Sequence, residues 1–424
     1  MQTHFDLIVI GGGQAGCSAA LAAARQGVSV LLCEASGALG GAPNTCLVNP
    51  YMKYSTTVIE DGEKKRVELC TGIFKEIHEA LEDDGIFGYT GKGTNFHEET
   101  MKVLFDRKMR EAGVTVLFHA KLCGVAREGN LVTGVTFATV GGNLTFTADS
   151  YIDATGDAIA IELANSPYRV GREGDGLCQP MTLCFRLGNV DVDGYWKMRK
   201  EVDAVYKQFQ AEGKIQNPRE DVLAFKTRIP GVLHFNTTRI VKLDPTNPFD
   251  RSNAQMMARE QVVEMFHFLK NNFEPFKNAD LLFTAAEIGA RESRMIDARH
   301  VLTAEDLIAG TKFPDAIAAG NYDMDIHSPD GTGTSHHWFP EGFWYTIPYR
   351  SLLPRDLDNL AVAGRALGAT HEAQAAVRIM PICSSMGEAA GMAAAIAKED
   401  GVSIADIDTD KLRTRLLAVG AFIG

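Results

Sequence analysis

The sequence predicts an α/β fold: a parallel-sheet domain assembled from both ends of the chain, with an α+β domain inserted between them. Three observations carry this. The apolar run Phe5 to Ile10 meets the glycine turn Gly11-Gly12-Gly13-Gln14-Ala15-Gly16 and then the small-residue run Cys17 to Ala24. Further apolar strands enter close turns at Ala154-Thr155-Gly156-Asp157 and, after Leu360 to Ala363, at Gly364-Arg365. Between these returns, residues 180 to about 345 change character, with helical and strand-like stretches punctuated by Pro and Asn.

The opening unit is strand, glycine turn, helix and second strand in order. Gly11, Gly13 and Gly16 fit the G-x-G-x-x-G spacing of a Rossmann-like dinucleotide-binding unit. Gly11 permits the tight turn, Gly13 lets backbone approach a pyrophosphate, and Gly16 lets the helix pack close to the strand. The helix N-terminus offers N–H groups and positive dipole character to phosphates. The second strand, Val28 to Cys33, ends at Glu34, placed to accept from a ribose hydroxyl pair and to repel a 2′-phosphate. Gly40-Gly41 marks another glycine turn.

Residues 47–96 read as an excursion, with a solvated charge run Lys64-Lys65-Arg66 and a helix-like stretch Gly72 to Glu82. Residues 97–112 form an amphipathic helix through Met101, Leu104, Phe105 and Met109, and Val114 to His119 a short strand. Leu131 to Phe137 and Asn143 to Phe146 alternate about Gly141-Gly142, as a hairpin or small meander does. Strand Ser150 to Asp153 precedes a helix over Ala158 to Ala164. In the insertion, helices are expected at Tyr195 to Glu212 and Ser252 to Asn272, and strands near Met181 to Leu187, Val232 to Phe235 and Leu281 to Ile288. Thr303-Ala304-Glu305-Asp306 reads as a capping box. A helix rich in Ala and Gly, Ser384 to Lys398, closes the pattern. The expected division is 1–178 with 346–424 as one discontinuous domain, and 179–345 as a substrate or cap domain.

The 424 residues are 45% hydrophobic and 23% charged, ordinary for a soluble globular chain. A net charge of −12 argues against nucleic acid and against an anionic membrane surface as partners. No basic leader with a cleavage site follows Met1, and no apolar run reaches the length of a membrane span. Eight scattered cysteines without a C-x-x-C pair suit the reduced cytoplasm. No metal is expected, because Asp325, His327 and His336 lack ligand spacing on a shared element.

On these motifs the chain resembles the glutathione-reductase-like FAD proteins. More narrowly, it resembles bacterial single-FAD oxidoreductases related to fumarate-reductase-type and tRNA-uridine-modification flavoproteins. The residues that carry the resemblance are Gly11 to Gly16 with Glu34, Gly40-Gly41, Ile152 to Asp157, and Asn359 to Arg365. Thr370 to Ala373, Val377 to Pro381, Met386 to Gly391, Glu292-Ser293-Arg294 and Tyr322 to His327 also fit. The resemblance implies an FAD-binding Rossmann-like domain with an inserted α+β cap. It puts the adenosine diphosphate across Gly11, Gly13, Gln14, Ala15 and Gly16, with Glu34 on the ribose. Gly40-Gly41 would pass the pyrophosphate and flavin, Ala154-Thr155-Gly156 would close the adenosine side, and Gly364-Arg365 would lie beside the isoalloxazine. The last long helix would present Ser384 to Gly387, including Ser385 and Met386, to the N1/O2 edge of the flavin. Only one complete fingerprint is present, so a separate electron donor or acceptor is expected rather than a second nucleotide domain.

The implied activity is hydride transfer between flavin N5 and a small organic substrate, as alcohol or polyol oxidation or unsaturated-acid reduction. The alternative is a non-catalytic FAD-binding subunit that relays electrons within a larger complex. His371 is the first choice for acid/base work, and Arg378 for holding an anion or oxyanion. Arg291, Arg294, Asp325 and His327 form a polar set in which Arg-x-x-Arg can clamp an anion, and Asp325 and His327 share one face of a strand. His336, with the aromatics Trp338 to Tyr345 and then Tyr349, suits a pocket wall for a ring-shaped substrate. Substrate contacts are therefore expected at Arg294, His327, His336, Tyr345 and Tyr349. Cys46 is expected as a buried free thiol. The sequence admits a homo-oligomer.

Overall fold

Leu7 to Ile10 are almost wholly buried, as an unbroken apolar run requires of a strand covered on both faces. The computed structural model describes residues 2–424. In it, His4–Ile10 pairs in parallel with Val30–Cys33 on one side and with Gly142–Asp153 on the other. Thr115–Leu117 extends the sheet beyond Val30–Cys33, and Leu360–Val362 extends it beyond Gly142–Asp153, both in parallel. Strands from the two ends of the chain thus share one sheet, and the fold is a Rossmann-like domain with an inserted α+β domain.

Asn143 to Phe146 and Ser150 to Asp153, separate in the sequence reading, are one strand. Its first half pairs antiparallel with Leu131–Thr139, which pairs in turn with Lys121–Glu128. Its second half enters the parallel sheet. Burial changes along it from mostly exposed to fully buried, so the alternating and the continuous apolar patterns looked like two elements.

The helices Gln14–Ala24 and Met380–Asp400 pack at very short range. A Cβ on Gly387 would lie 2.0 Å from the Ala15 carbonyl oxygen, and one on Gly391 2.1 Å from that of Ala19. Ser18 and Ser384 share a 2.7 Å hydrogen bond across the contact. Residues Pro381 to Ala397 are all buried, which is why this helix has no polar face. A shorter helix, His371–Val377, precedes it, capped by the Thr370 side chain, and the two meet at 91°. Among the described residues no single helix is long and apolar enough to cross a membrane.

The second sheet is antiparallel, in the order Ala224–Lys226, Leu233–Phe235, Phe185–Gly188, Asp280–Thr284. Phe185, Leu187, Leu233 and Phe235 join Tyr195, Tyr206, Val262 and Phe268 of helices Val192–Ala211 and Pro248–Asn272 in one apolar core. The Phe185 and Phe235 rings stack at 4.9 Å. By alternation Arg186 and His234 take the other face, where Arg186 pairs with the buried Glu98. This core draws on Leu47 and on residues between Met181 and Ile288. Residues from Leu302 to Tyr349 pack instead with the core of the parallel-sheet domain, so the span 179–345 contributes to both. The capping box at Thr303 forms with Asp306.

Candidate active site

Three turns meet backbone to backbone at the C-terminal edge of the parallel sheet. Gly40 N–H donates to the Gly12 carbonyl at 2.8 Å. Gly41 has φ of +68°, and a Cβ there would lie 2.7 Å from Gly13 Cα. A Cβ on Gly11 would meet the Ala154 carbonyl oxygen at 2.7 Å. Gln14, buried, donates from Nε2 to the Gly40 carbonyl at 3.3 Å and ties the first two turns together. Helix Gln14–Ala24 begins on Gly13 with no side-chain cap and no acidic residue in its first turn. Its first N–H groups therefore remain for an anion. Glu34 is fixed at the mouth of the turn, accepting from Gly12 N–H at 2.6 Å and Ser36 N–H at 2.7 Å. A side-chain-free cradle, an uncapped helix start and a held carboxylate fit the diphosphate and ribose of FAD.

Other residues expected at the cofactor sit differently. The Arg365 guanidinium pairs with Asp157 and donates to the Ala290 carbonyl. Asp157 also takes Arg251 at 3.0 Å and the Ser293 hydroxyl at 2.7 Å. Burial pushes the Asp157 carboxyl up, but Arg365 and Arg251 outweigh it and bring it down to about 2. Arg365 thus fastens three segments, and Thr155 caps the turn between them by accepting from Ile159 N–H at 3.2 Å. The last long helix starts at Met380, with Pro381 in its first turn, earlier than expected. Its free N–H groups belong to Met380 and Ile382. Ser385 lies a turn further in and donates to the Pro381 carbonyl at 3.3 Å, and Met386 is in the apolar core.

His371 is the first residue of helix His371–Val377, and its ring is buried. Its Nδ1 lies 2.9 and 2.8 Å from the two oxygens of Glu292, which is itself fully buried. Glu292 also accepts from Gln179 N–H at 2.9 Å. Gln179 donates to Gln374 at 3.2 Å, and Gln374 to the Arg291 carbonyl at 2.9 Å. With Glu292 accepting, Nδ1–H is the donor, and Nε2 has no partner among the described residues. The sequence reading gave Glu292 no role. It lies 79 residues from His371, and no spacing links them.

A second polar cluster lies on the hairpin Met324–His327 with Thr334–His337, where Asp325 and His336 are direct cross-strand partners. That hairpin was not visible in the spacing, and it brings together residues that the sequence left apart. Asp325 accepts from the Tyr322 hydroxyl at 2.9 Å and lies 3.3 Å from His327 Nε2 and 3.5 Å from Arg378. Arg239 donates to His327 Nδ1 at 2.8 Å. An arginine can only donate, so His327 is neutral and its Nε2–H faces Asp325. Burial and Arg291 push the His327 imidazole well below its ordinary value. Burial opposes ionisation of Asp325, but His327, Arg378 and Tyr322 hold it well below the carboxylate range. His336 reaches Asp323 at 2.6 Å and stacks on Trp338.

Three further residues expected at the substrate have polar partners within the fold. Arg294 contacts Glu162 at 3.3 Å and lies over the Tyr168 ring. Tyr345 and Tyr349 are core residues, their hydroxyls donating to the carbonyls of Tyr322 at 3.1 Å and Ile404 at 2.7 Å. Large apolar rings with a satisfied hydroxyl stay inside, and the aromatic run that suggested a pocket wall is in good part packing. Cys46 is a buried free thiol, pushed up by burial.

Comparison with known proteins follows this geometry. The family described as FAD dependent oxidoreductase matches residues 6–416. Digeranylgeranylglycerophospholipid reductase 1 of Methanococcoides burtonii is 29% identical over 167 residues, which span 37% of this chain and 38% of that protein. Among solved structures, a geranylgeranyl bacteriochlorophyll reductase-like protein from Thermoplasma acidophilum is similar at 13% identity and a TM-score of 0.49, covering 99% of this chain and 84% of that one. A myxobacterial chondrochloren halogenase is similar at 14% identity and a TM-score of 0.43, covering 97% and 78%. The match runs through both glycine turns, the inserted domain and the last long helix, and the chain belongs to the FAD-dependent oxidoreductase family.

Proposed function

We propose that this enzyme transfers a hydride between flavin N5 and a small organic substrate, either oxidising an alcohol or polyol or reducing an unsaturated acid. Bound FAD supplies the hydride acceptor or donor. The protein's part is to hold and move a proton. The observation that carries the reading is the buried His371–Glu292 pair. Glu292 fixes the ring and its tautomer, so that Nε2 takes a hydroxyl proton during oxidation or returns one during reduction. Gln179 and Gln374 keep the pair in register with the Arg291 backbone. The single dinucleotide turn supports a separate electron donor or acceptor. Seven of the eight free cysteines are buried, which supports a reducing, cytoplasmic setting.

The test is anaerobic mixing of the FAD-loaded enzyme with polyols, hydroxy acids and unsaturated acids, following the visible flavin band. A substrate that bleaches the oxidised enzyme, or restores the band after dithionite, fixes the direction. His371→Asn slows that step by about 100-fold or more with FAD still bound, the scale of a positioned acid/base. Equal rates in parent and variant refute the assignment.

A further inference from the structure

Resting on that reading, we infer that the substrate carries a single carboxylate, held between Arg291 and Arg378 beside the His371–Glu292 pair. The argument begins with charge. Arg219, Arg239 and Arg378 act electrostatically on Arg291, and the cluster pairs three of these four guanidinium groups with three carboxylates. Arg219 meets Asp221 at 2.9 Å, Arg239 meets Glu220 at 3.1 Å, and Arg378 meets Asp325 at 3.5 Å. His327, neutral, adds nothing to the balance.

Arg291 is the remainder. Its donors go to neutral acceptors: the Pro180 carbonyl at 2.8 Å, the Thr182 hydroxyl at 2.5 Å and the Asn236 amide oxygen at 3.3 Å. Burial, with Arg378 and Arg219 next, pushes its pKa down to about 9. Asp325, already the partner of Arg378, pulls it back only in part, and among the described residues Arg291 has no ion pair of its own. Arg378 is also incompletely engaged. Its only contacts to Asp325 are long, at 3.5 Å, and its Nε is buried without an acceptor. One guanidinium with an unpartnered Nε and a second held only by neutral acceptors match one carboxylate, whose two oxygens accept from planar forks.

Placement joins the cluster to the chemistry. Arg291 and Glu292 are consecutive, about 3.8 Å apart at Cα, and their side chains go to opposite tasks. His371 opens a helix that Arg378 caps at the other end. Asp325, held ionised beside Arg378, repels a second negative charge. The site therefore selects a monocarboxylate over a dicarboxylate and over inorganic phosphate.

The test uses the FAD-loaded enzyme titrated with propionate, its neutral isostere propionamide, succinate and inorganic phosphate. The readouts are perturbation of the visible flavin band and the thermal unfolding midpoint. Propionate is expected to shift both, with propionamide inert to about 10 mM and succinate and phosphate weaker than propionate. Arg291→Gln and Arg378→Gln each weaken propionate about tenfold or more, and the Lys variants recover part of the loss. FAD affinity and the cooperative unfolding transition are unchanged. Equal binding of propionamide, tighter binding of phosphate or succinate, or unchanged propionate affinity in both Gln variants overturns the inference. Those results leave the proton reading standing if His371→Asn still loses flavin reduction. Normal turnover by His371→Asn, with propionate binding intact, removes the proton reading alone.

Discussion

Glu388→Gln changes the pH dependence of stability in a calculable direction. Glu388 sits inside the last long helix, buried, and accepts from Ile73 N–H at 3.1 Å. That N–H is the first of helix Ile73–Asp83, whose N-cap, Gly72, provides no side chain. Burial, reinforced by Glu76 but opposed by the Ile73 N–H and Arg25, raises its carboxyl from 4.5 to about 7. A raised acid pKa means that the folded protein holds a proton that the unfolded chain releases between these values. Stability is then fully present below pH 4.5 and is lost as pH rises through 7. The shift corresponds to roughly 3 kcal/mol at its upper limit. Glutamine keeps an acceptor oxygen for Ile73 and carries no charge at any pH. Chemical denaturation at pH 5 and pH 8, with the slope against denaturant held equal, measures the difference. The variant should exceed the parent by no more than about 1 kcal/mol at pH 5 and by up to roughly 3 kcal/mol at pH 8, the gap widening as pH rises. A pH-independent difference, or a less stable variant at pH 8, refutes the argument.

Gly41→Val should yield a folded protein that purifies without FAD, because its side chain would strike Gly13 in a left-handed backbone; flavin content per chain checks this. Gly391→Val forces the Ala19 carbonyl away and should cost about 1–3 kcal/mol by thermal melts, with no loss expected from Gly401→Asn at the left-handed C-cap. Asp157→Asn removes stabilisation that is present above pH 3.8 and fades as pH falls towards 2, so parent and variant acid-unfolding curves should converge at low pH. Tyr349→Phe should cost about 1 kcal/mol through the lost bond to Ile404 and leave substrate kinetics unchanged, since the ring is core.

The meeting of the glycine turns was legible because its chemistry is local. Glycines that admit backbone at Gly11 and Gly41, and a carboxylate at the end of the second strand, announce themselves at short spacing. The hairpin Ser55–Glu60 with Glu63–Glu68 was missed: Asp61-Gly62, both at positive φ, carried a turn signal, but Lys64 to Arg66 read as a charge run rather than as an exposed strand. The His371–Glu292 pair was half legible: His371 stood out beside a glycine turn, and Glu292 could not. Its partner arrives from a different domain segment, and only tertiary packing excludes water from both. Arg365 and the two tyrosines show the converse. Motif position suggested ligand contact, and it could not show that their polar groups bond to Asp157 and to the carbonyls of Tyr322 and Ile404.

The short-range contact between Gln14–Ala24 and Met380–Asp400 has a consequence for biosynthesis. The two helices are 366 residues apart at the Ser18–Ser384 contact, so during translation the glycine turn gains its buttress only after the whole intervening stretch has been made. Until then the small-residue face of Gln14–Ala24 has no partner to pack against.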